Sequence, residues 1–313
     1  MITILKPGMQ MSIQDQGRVG SRHLGIGQSG CVDPYAQIIT NRLVGNPDNH
    51  PVIEITLGLA EIQFDNDYYI ALHGTDMKAT VNGNAVQPGW SFYIKKGDIL
   101  KLNAARHGFR NYLAIGGDWH LPTAILDSYS TDIAAGFGGL HGHALKAGDR
   151  FDITPKYATK IGLGAMLPPK STHIRILAGP HASILPDNTC DKFTEHSWHI
   201  SPSSNRMGAR LLSDECKLAH SLSLPSMAVM PGSIQLPPNG EPIVLLNDAQ
   251  TTGGYPIIGT VIEADLRHFA QLKPGDFLHF EFVSLEQAHL AQQKLVAHLN
   301  QLAIALKYKN AKS

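Results

Sequence analysis

The sequence predicts a mainly β protein with a few helices, organised as two β-rich domains, 1–160 and 161–313. Three observations carry this expectation. Glycine and proline are frequent, thirty and nineteen in 313 residues, and they are spread along the chain, which requires many turns and short strands. A Gly-Asp turn entering a strand of alternating apolar residues recurs three times, at 96–102, 147–153 and 274–280, consistent with repeated use of one kind of hairpin. Regular alternation of long helices and strands, the mark of a doubly wound sheet, is missing.

Each element has a local reason. Ile2–Leu5 reads as a first strand, closed by the Pro7-Gly8 turn. A polar, glycine-rich loop runs from Gln14 to Gly30. Asp33-Pro34 then opens a helix, with Asp33 as N-cap and Pro34 at the first helical position. Ile38, Ile39 and Leu43 give that helix an apolar face, and Gly45 stops it. Short strands follow at 52–57, 68–72, 79–81, 91–94, 99–102 and 111–115, with Asn82-Gly83 as a hairpin turn. The stretch 154–171, containing Pro168-Pro169, is the linker candidate. Beyond it come a strand at 174–177, a short amphipathic piece near Phe193, a strand at 243–246 and a short helix over 265–272. Ser284 and Gln287 form a capping box for the clearest helix, whose Ala288, Ala291, Leu295, Leu299, Leu302 and Leu306 keep helical spacing.

Composition excludes several classes. Lys and Arg total 26, matching 26 Asp and Glu. A neutral chain without a basic block lacks the electrostatic footprint of a nucleic-acid or membrane-surface binder. No apolar run reaches the ~18–20 residues needed to span a bilayer, and the first residues lack a signal-peptide pattern. Three cysteines, 31, 190 and 216, stand far apart without a CxxC pair. The expectation is a cytoplasmic protein without a disulfide framework or thiolate zinc site.

The familiar catalytic motifs are also missing. There is no phosphate loop, no H-E-x-x-H and no G-x-S-x-G elbow. His141-Gly-His143 has no carboxylate companion, and no metal is expected. Met77-Lys78 matches only the centre of a biotinyl site, so no covalent biotin is expected here. Gly25–Gly30 with Ser29 precedes the Asp33 helix and offers amides for an anion, or simply a loop with positive φ angles. Cys31 sits beside it, where a thiolate would be favoured or a small residue would pack. The densest polar run is 247–256, Asn-Asp-Ala-Gln-Thr-Thr-Gly-Gly-Tyr-Pro, directly after an apolar strand. Asp248 and Gln250 share parity and would face one pocket from a strand end. Asp offers a base, and Gln offers both donor and acceptor to an amide. Arg206-Met-Gly208 and Gly232-Ser-Ile-Gln235 are lesser candidates. Arg206 has the fork for a carboxylate.

Several of these segments carry a family resemblance. Gln14-Asp-Gln-Gly-Arg18, Ser29–Pro34, Asn41–Pro47, Glu54–Gly58, Tyr112–Gly117, Ser130-Thr-Asp132, Arg206-Met-Gly208, Pro231–Pro237 and Asp248–Pro256 together resemble the biotin-dependent-carboxyltransferase-like family, also called allophanate hydrolase subunit 2. The matches run in order over nearly the whole chain. Two motifs depart from their common versions: Ala249 stands where an Arg is frequent, and 126–132 reads Leu-Asp-Ser-Tyr-Ser-Thr-Asp where Leu-Gly-Ser-Arg-Ser-Thr-Asp is common.

The resemblance implies two cyclophilin-like β-barrels. In the 5-oxoprolinase branch it implies work with two partners, the A and B subunits, opening 5-oxoproline to glutamate at the expense of ATP, as a hetero-oligomer active only when assembled. ATP would be bound by, or shared with, a partner subunit. The alternatives are carboxyl transfer to urea or a related small amide, and a regulatory binding protein acting through a partner. On this reading Asp248, Gln250 and Tyr255 are catalytic. Asp248 is the acid–base or amide-orienting group, Gln250 holds the carbonyl, and Tyr255 donates to developing negative charge. Arg206, Thr251, Thr252, Ser29, Asp33 and Glu54 complete the substrate site, although N-capping alone also explains Asp33.

Overall fold

The computed structural model describes residues 1–156, 162–166 and 169–310, the side chains of 308–310 excepted. The expected boundary at 160/161 lies outside the described residues. The chain forms two compact units. The first comprises Met1–Arg18, Ser29–Pro169 and the chain from Ala297; the second comprises Val19–Gln28 and Lys170–Val296.

The first unit is built from two antiparallel sheets. One holds seven strands in the order Gly117–His120, Arg150–Pro155, Ile2–Pro7, Ala60–Phe64, Ile99–Leu102, Thr80–Val81 and Asn84–Ala85. The other holds five, Gln10–Gln14, Val52–Thr56, Arg110–Ile115, Tyr68–Gly74 and Ser91–Ile94. Alternate residues of both sheets enter one core, including Ile2, Ile4, Met11, Ile13, Ile53, Ile62, Phe64 and Leu113. The Asn82-Gly83 turn joins Thr80–Val81 to Asn84–Ala85, with both turn residues at positive φ.

Helix α1, Pro34–Leu43, starts where the sequence places it. Asp33 Oδ1 accepts the Ala36 N–H at 2.9 Å, and Gly45 follows the last turn at φ 78°. The helix buries Ala36, Ile39 and Leu43. The end of the last helix also belongs to this unit. There Arg42 donates to the Leu299 carbonyl, and the Tyr35 and His298 rings lie 5.8 Å apart.

The second unit contains a closed seven-stranded barrel: His173–Ala178, Ile257–Val261, Ser233–Gln235, Ile243–Leu245, Gly208–Leu212, Trp198–Ile200 and Phe277–Phe282. A parallel pairing of Phe277–Phe282 with His173–Ala178 closes it. Its core is dominated by Trp198, Phe193, Phe280, Ile174, Ile176 and Leu278. Phe193 belongs to helix α2, Thr189–Glu195. Helix α3 runs Glu263–Phe269, starting two and ending three residues earlier than the sequence suggests. Helix α4, Leu285–Asn310, starts on the expected capping box: Ser284 N–H donates to Gln287 Oε1 at 2.8 Å, and Gln287 N–H donates to Ser284 Oγ at 3.2 Å.

The three Gly-Asp turns share one construction. In each, the Asp carboxylate accepts the N–H three residues earlier: Asp98 from Lys95 at 2.8 Å, Asp149 from Lys146 at 2.8 Å, and Asp276 from Lys273 at 3.2 Å. The intervening Gly97, Gly148 and Gly275 have φ of 89°, 92° and 85°. Lys-x-Gly-Asp is thus a repeated folding unit, with Gly supplying the left-handed residue. The mainly β expectation holds. Among the described residues, no helix is long and apolar enough to cross a membrane.

Candidate active site

In the second unit the barrel strand Ile243–Leu245 runs into the polar segment 247–256. Backbone bonds fix the exit: Leu246 N–H donates to the Met207 carbonyl and Asp248 N–H to the Arg206 carbonyl, both at 3.0 Å. These bonds bring Arg206 and Asp248 together. Their side chains form a buried bidentate pair, Nε to Oδ2 at 2.8 Å and Nη2 to Oδ1 at 3.0 Å. Arg206 therefore applies its fork first to a carboxylate of its own chain.

Asn247 and Asp248 form a turn beyond the strand, so two-residue alternation does not relate Asp248 to Gln250. Asp248 points inward to Arg206. Gln250 is exposed, and its Nε2 donates to Gln235 Oε1 at 3.3 Å. Gln235 is buried, and its Nε2 has no hydrogen-bond partner among the described residues. A Cβ at Gly253 would lie 2.4 Å from that Nε2, so glycine lets the backbone lie over Gln235. Thr252-Gly253 pairs with Met227-Ala228, and Val229 N–H donates to the Thr251 carbonyl at 3.0 Å. Tyr255 is 45% exposed, with its phenol at the surface. Ala249 is fully buried with Val229, Leu245 and Ile257.

One residue of this arrangement escapes sequence reading. Arg22 sits in a 3-10 turn, Arg22–Leu24, of the segment 19–28. Its guanidinium donates to the carbonyls of Val229 (2.7 Å), Gln250 (2.7 Å) and Ala249 (3.4 Å). No local signal marks it, because its partners lie more than 200 positions away in the chain.

Ser29, Asp33 and Glu54 belong to the first unit. All three are buried. The amides of the Gly30–Asp33 stretch are already engaged: Gly30 N–H with Gln14 Oε1, Cys31 N–H with the Asp15 carbonyl, Val32 N–H with Glu54 Oε2 and Asp33 N–H with the Tyr112 hydroxyl, all within 3.1 Å. The Ala36 N–H is taken by Asp33. The amides from Gly30 to Asp33 and that of Ala36 are therefore engaged within the chain. Glu54 Oε1 also approaches Arg110 Nε at 3.5 Å. Burial first, then the carboxylates of Glu54 and Asp33, hold the Tyr112 phenol well above its ordinary pKa.

Elsewhere in this unit two of the resembling motifs meet. Asp15 accepts from Ser128 Oγ at 2.6 Å, Ser130 Oγ at 2.5 Å, Tyr129 N–H at 2.6 Å and Gly17 N–H at 2.8 Å. Asp15 lines a cavity of about 280 Å³ together with Asn46, His50, Asp118, Tyr129 and Lys156. His50 Nε2 faces the Gly117 carbonyl at 2.8 Å, and burial pulls its pKa down to about 4. Among the described residues no group of three His, Cys, Asp or Glu could hold a metal ion.

Two antiparallel-rich β units, one a closed barrel, and a polar loop anchored by an Arg–Asp pair define a carboxyltransferase-type architecture. The family model for the carboxyltransferase domain, subdomain A and B, matches residues 24–282, and the chain belongs to that family. It is similar to the C subunit of 5-oxoprolinase from Escherichia coli, 42% identical over 99% of this chain and all of the relative. It is likewise similar to the C subunit of 5-oxoprolinase from Haemophilus influenzae, 36% identical over 99% of this chain and all of that protein. The crystal structure of the K. lactis urea amidolyase superposes with a TM-score of 0.86 at 28% identity, covering 96% of this chain and 20% of that one.

Proposed function

We propose that this chain is a subunit of an ATP-dependent 5-oxoprolinase, a hydrolase that opens the cyclic amide 5-oxo-L-proline to L-glutamate only when assembled with its two partners, the A and B subunits. The observation that carries this is the 42% identity, end to end, with the C subunit of a 5-oxoprolinase. The reaction needs recognition of a lactam carbonyl and N–H, and the 248–255 loop supplies groups for both. The Asp248 carboxylate, held by Arg206, serves as the acceptor for a substrate N–H. Gln250 presents an amide to the carbonyl, and the exposed Tyr255 phenol is placed to donate to oxygen as charge develops. Thr251 and Thr252 line the same loop. The chain has no phosphate-loop sequence, and the amides of Gly30, Val32, Asp33 and Ala36 are engaged within the chain, so we assign ATP to a partner subunit. A cytoplasmic setting belongs to the same reading and agrees with Cys31, Cys190 and Cys216 standing outside any disulfide.

A second reading, carboxyl transfer to urea or a related amide, draws support from the family and from the likeness to urea amidolyase. Co-expression with the two partner subunits separates them. The first reading expects ADP and glutamate release dependent on 5-oxoproline. Turnover that instead requires urea and a biotinylated carrier would replace it with the second.

A further inference from the structure

Arg22 is an unusual feature of the candidate site. Three carbonyl oxygens, of Val229, Ala249 and Gln250, converge on one guanidinium. Converging carbonyl dipoles repel unless a cation or several donors lie between them, and the planar guanidinium supplies both. Ala249 and Gln250 directly follow Asp248. Holding their carbonyls fixes the two peptide planes that set where the Gln250 side chain departs. Val229 continues the Met227-Ala228 partner of Thr252-Gly253, so the same cation ties both sides of that small ladder. The anchor is itself ordered: Leu24 N–H donates to the Ser21 carbonyl and Gly25 N–H to the Arg22 carbonyl, both at 3.0 Å. Partial burial lowers the Arg22 pKa from its ordinary value, as expected for a cation enclosed by carbonyls rather than water.

We infer that Arg22 is a positioning residue that latches the 247–254 loop in the geometry that presents Asp248 and Gln250 to substrate, an inference that rests on the proposed assignment of this loop to the reaction. Arg22 acts on the backbone and does not touch the substrate. Lysine reaches the same place but cannot fork across three carbonyls, so it restores the latch only in part.

The test uses the full chain and the assembled complex, with Arg22→Ala and Arg22→Lys. Hydrogen exchange at the Val229 and Ala249 amides, both bonded within the loop, is expected to accelerate ~10-fold or more in Arg22→Ala, while Ile234 and Val244 in the barrel stay protected. In the complex, kcat for 5-oxoproline is expected to fall ~10-fold or more with KM changed little. Millimolar guanidinium should restore much of both losses, and Arg22→Lys should fall between. A merely stabilising arginine would lower barrel protection as well and would show no rescue. Unchanged exchange at Val229 and Ala249 in both variants overturns the latch. Altered exchange with unchanged kcat overturns the positioning role. Asp248→Asn, measured alongside, separates the two levels: if it also leaves turnover intact, the loop assignment has failed; if it abolishes turnover, only the role of Arg22 has.

Discussion

The Arg206 guanidinium and the Asp248 carboxylate face each other edge to edge, two bonds at 2.8 and 3.0 Å, with both side chains 4% exposed. A buried pair of this kind is costly to break from one side, because the surviving charge stays desolvated. Asp248→Asn should lower stability by ~3–5 kcal/mol, read from urea unfolding of the isolated chain. In the complex, turnover should drop on the order of 10²-fold under conditions where the variant remains folded. Tyr255→Phe, at an exposed position, should cost turnover without costing stability. If both variants turn over within a few-fold of wild type, the loop is structural.

Gly253→Ala probes the same site from the backbone. The added methyl would lie 2.4 Å from Gln235 Nε2. The Gln235 amide must move, and its bond from Gln250 is lost with it. The expected cost is ~1–3 kcal/mol of stability from overpacking. Turnover should fall by a larger factor than stability alone explains. Turnover equal to wild type in the folded fraction would remove the Gln235–Gln250 contact from the functional geometry.

The three Lys-x-Gly-Asp turns give internal replicates. Replacing Asp98, Asp149 or Asp276 with Ala removes one carboxylate acceptor from a main-chain N–H, worth ~1 kcal/mol in comparable caps. Asp98 and Asp276 should cost more than Asp149, because Asn82 Nδ2 also donates to Asp98 at 2.7 Å and Lys170 Nζ to Asp276 at 2.6 Å. Asp98 and Asp149 both lie in the first unit, and their effects should add within ~0.5 kcal/mol if the sites are independent. Urea midpoints of the single and double variants decide this.

Acid should weaken the fold in a defined window. His50 and His268 both have folded pKa values near 4, against 6.5 ordinarily, with burial as the first cause. For His268 the neighbouring Arg267 lowers it further, against Asp265. Between pH ~6.5 and ~4 the unfolded chain binds protons that the folded chain refuses. Stability is therefore full above pH ~6.5 and falls as the pH drops toward 4. Urea unfolding across that range should show the slope, and His50→Gln with His268→Gln should flatten it. An unchanged slope would assign the acid sensitivity to carboxylates.

What was legible in the sequence was local. Asp33-Pro34, Asn82-Gly83 and Ser284-x-x-Gln287 each encode their structure within four residues, and each folds as its chemistry dictates. The site was legible only in composition. The polar run 247–256 stood out, but its geometry did not, because parity presumes a strand and the chain turns at Asn247-Asp248. The glycines of 25–30 suggested free amides. Gln14, Asp15, Glu54 and Tyr112, from other parts of the chain, take up the N–H groups of 30–33. Arg22 was illegible for the same reason: its role exists only through carbonyls more than 200 residues downstream.

The parallel seam between His173–Ala178 and Phe277–Phe282 has a consequence for the chain as it is made. The first strand of the barrel emerges from the ribosome about a hundred residues before the strand that closes against it. At ~5–20 residues per second that is a delay of about 5–20 s. Through that interval Ile174 and Ile176, both fully buried in the finished barrel, belong to an unpaired strand edge able to pair with other chains. A nascent chain stalled before Phe282 should therefore depend on chaperones and be lost to aggregation.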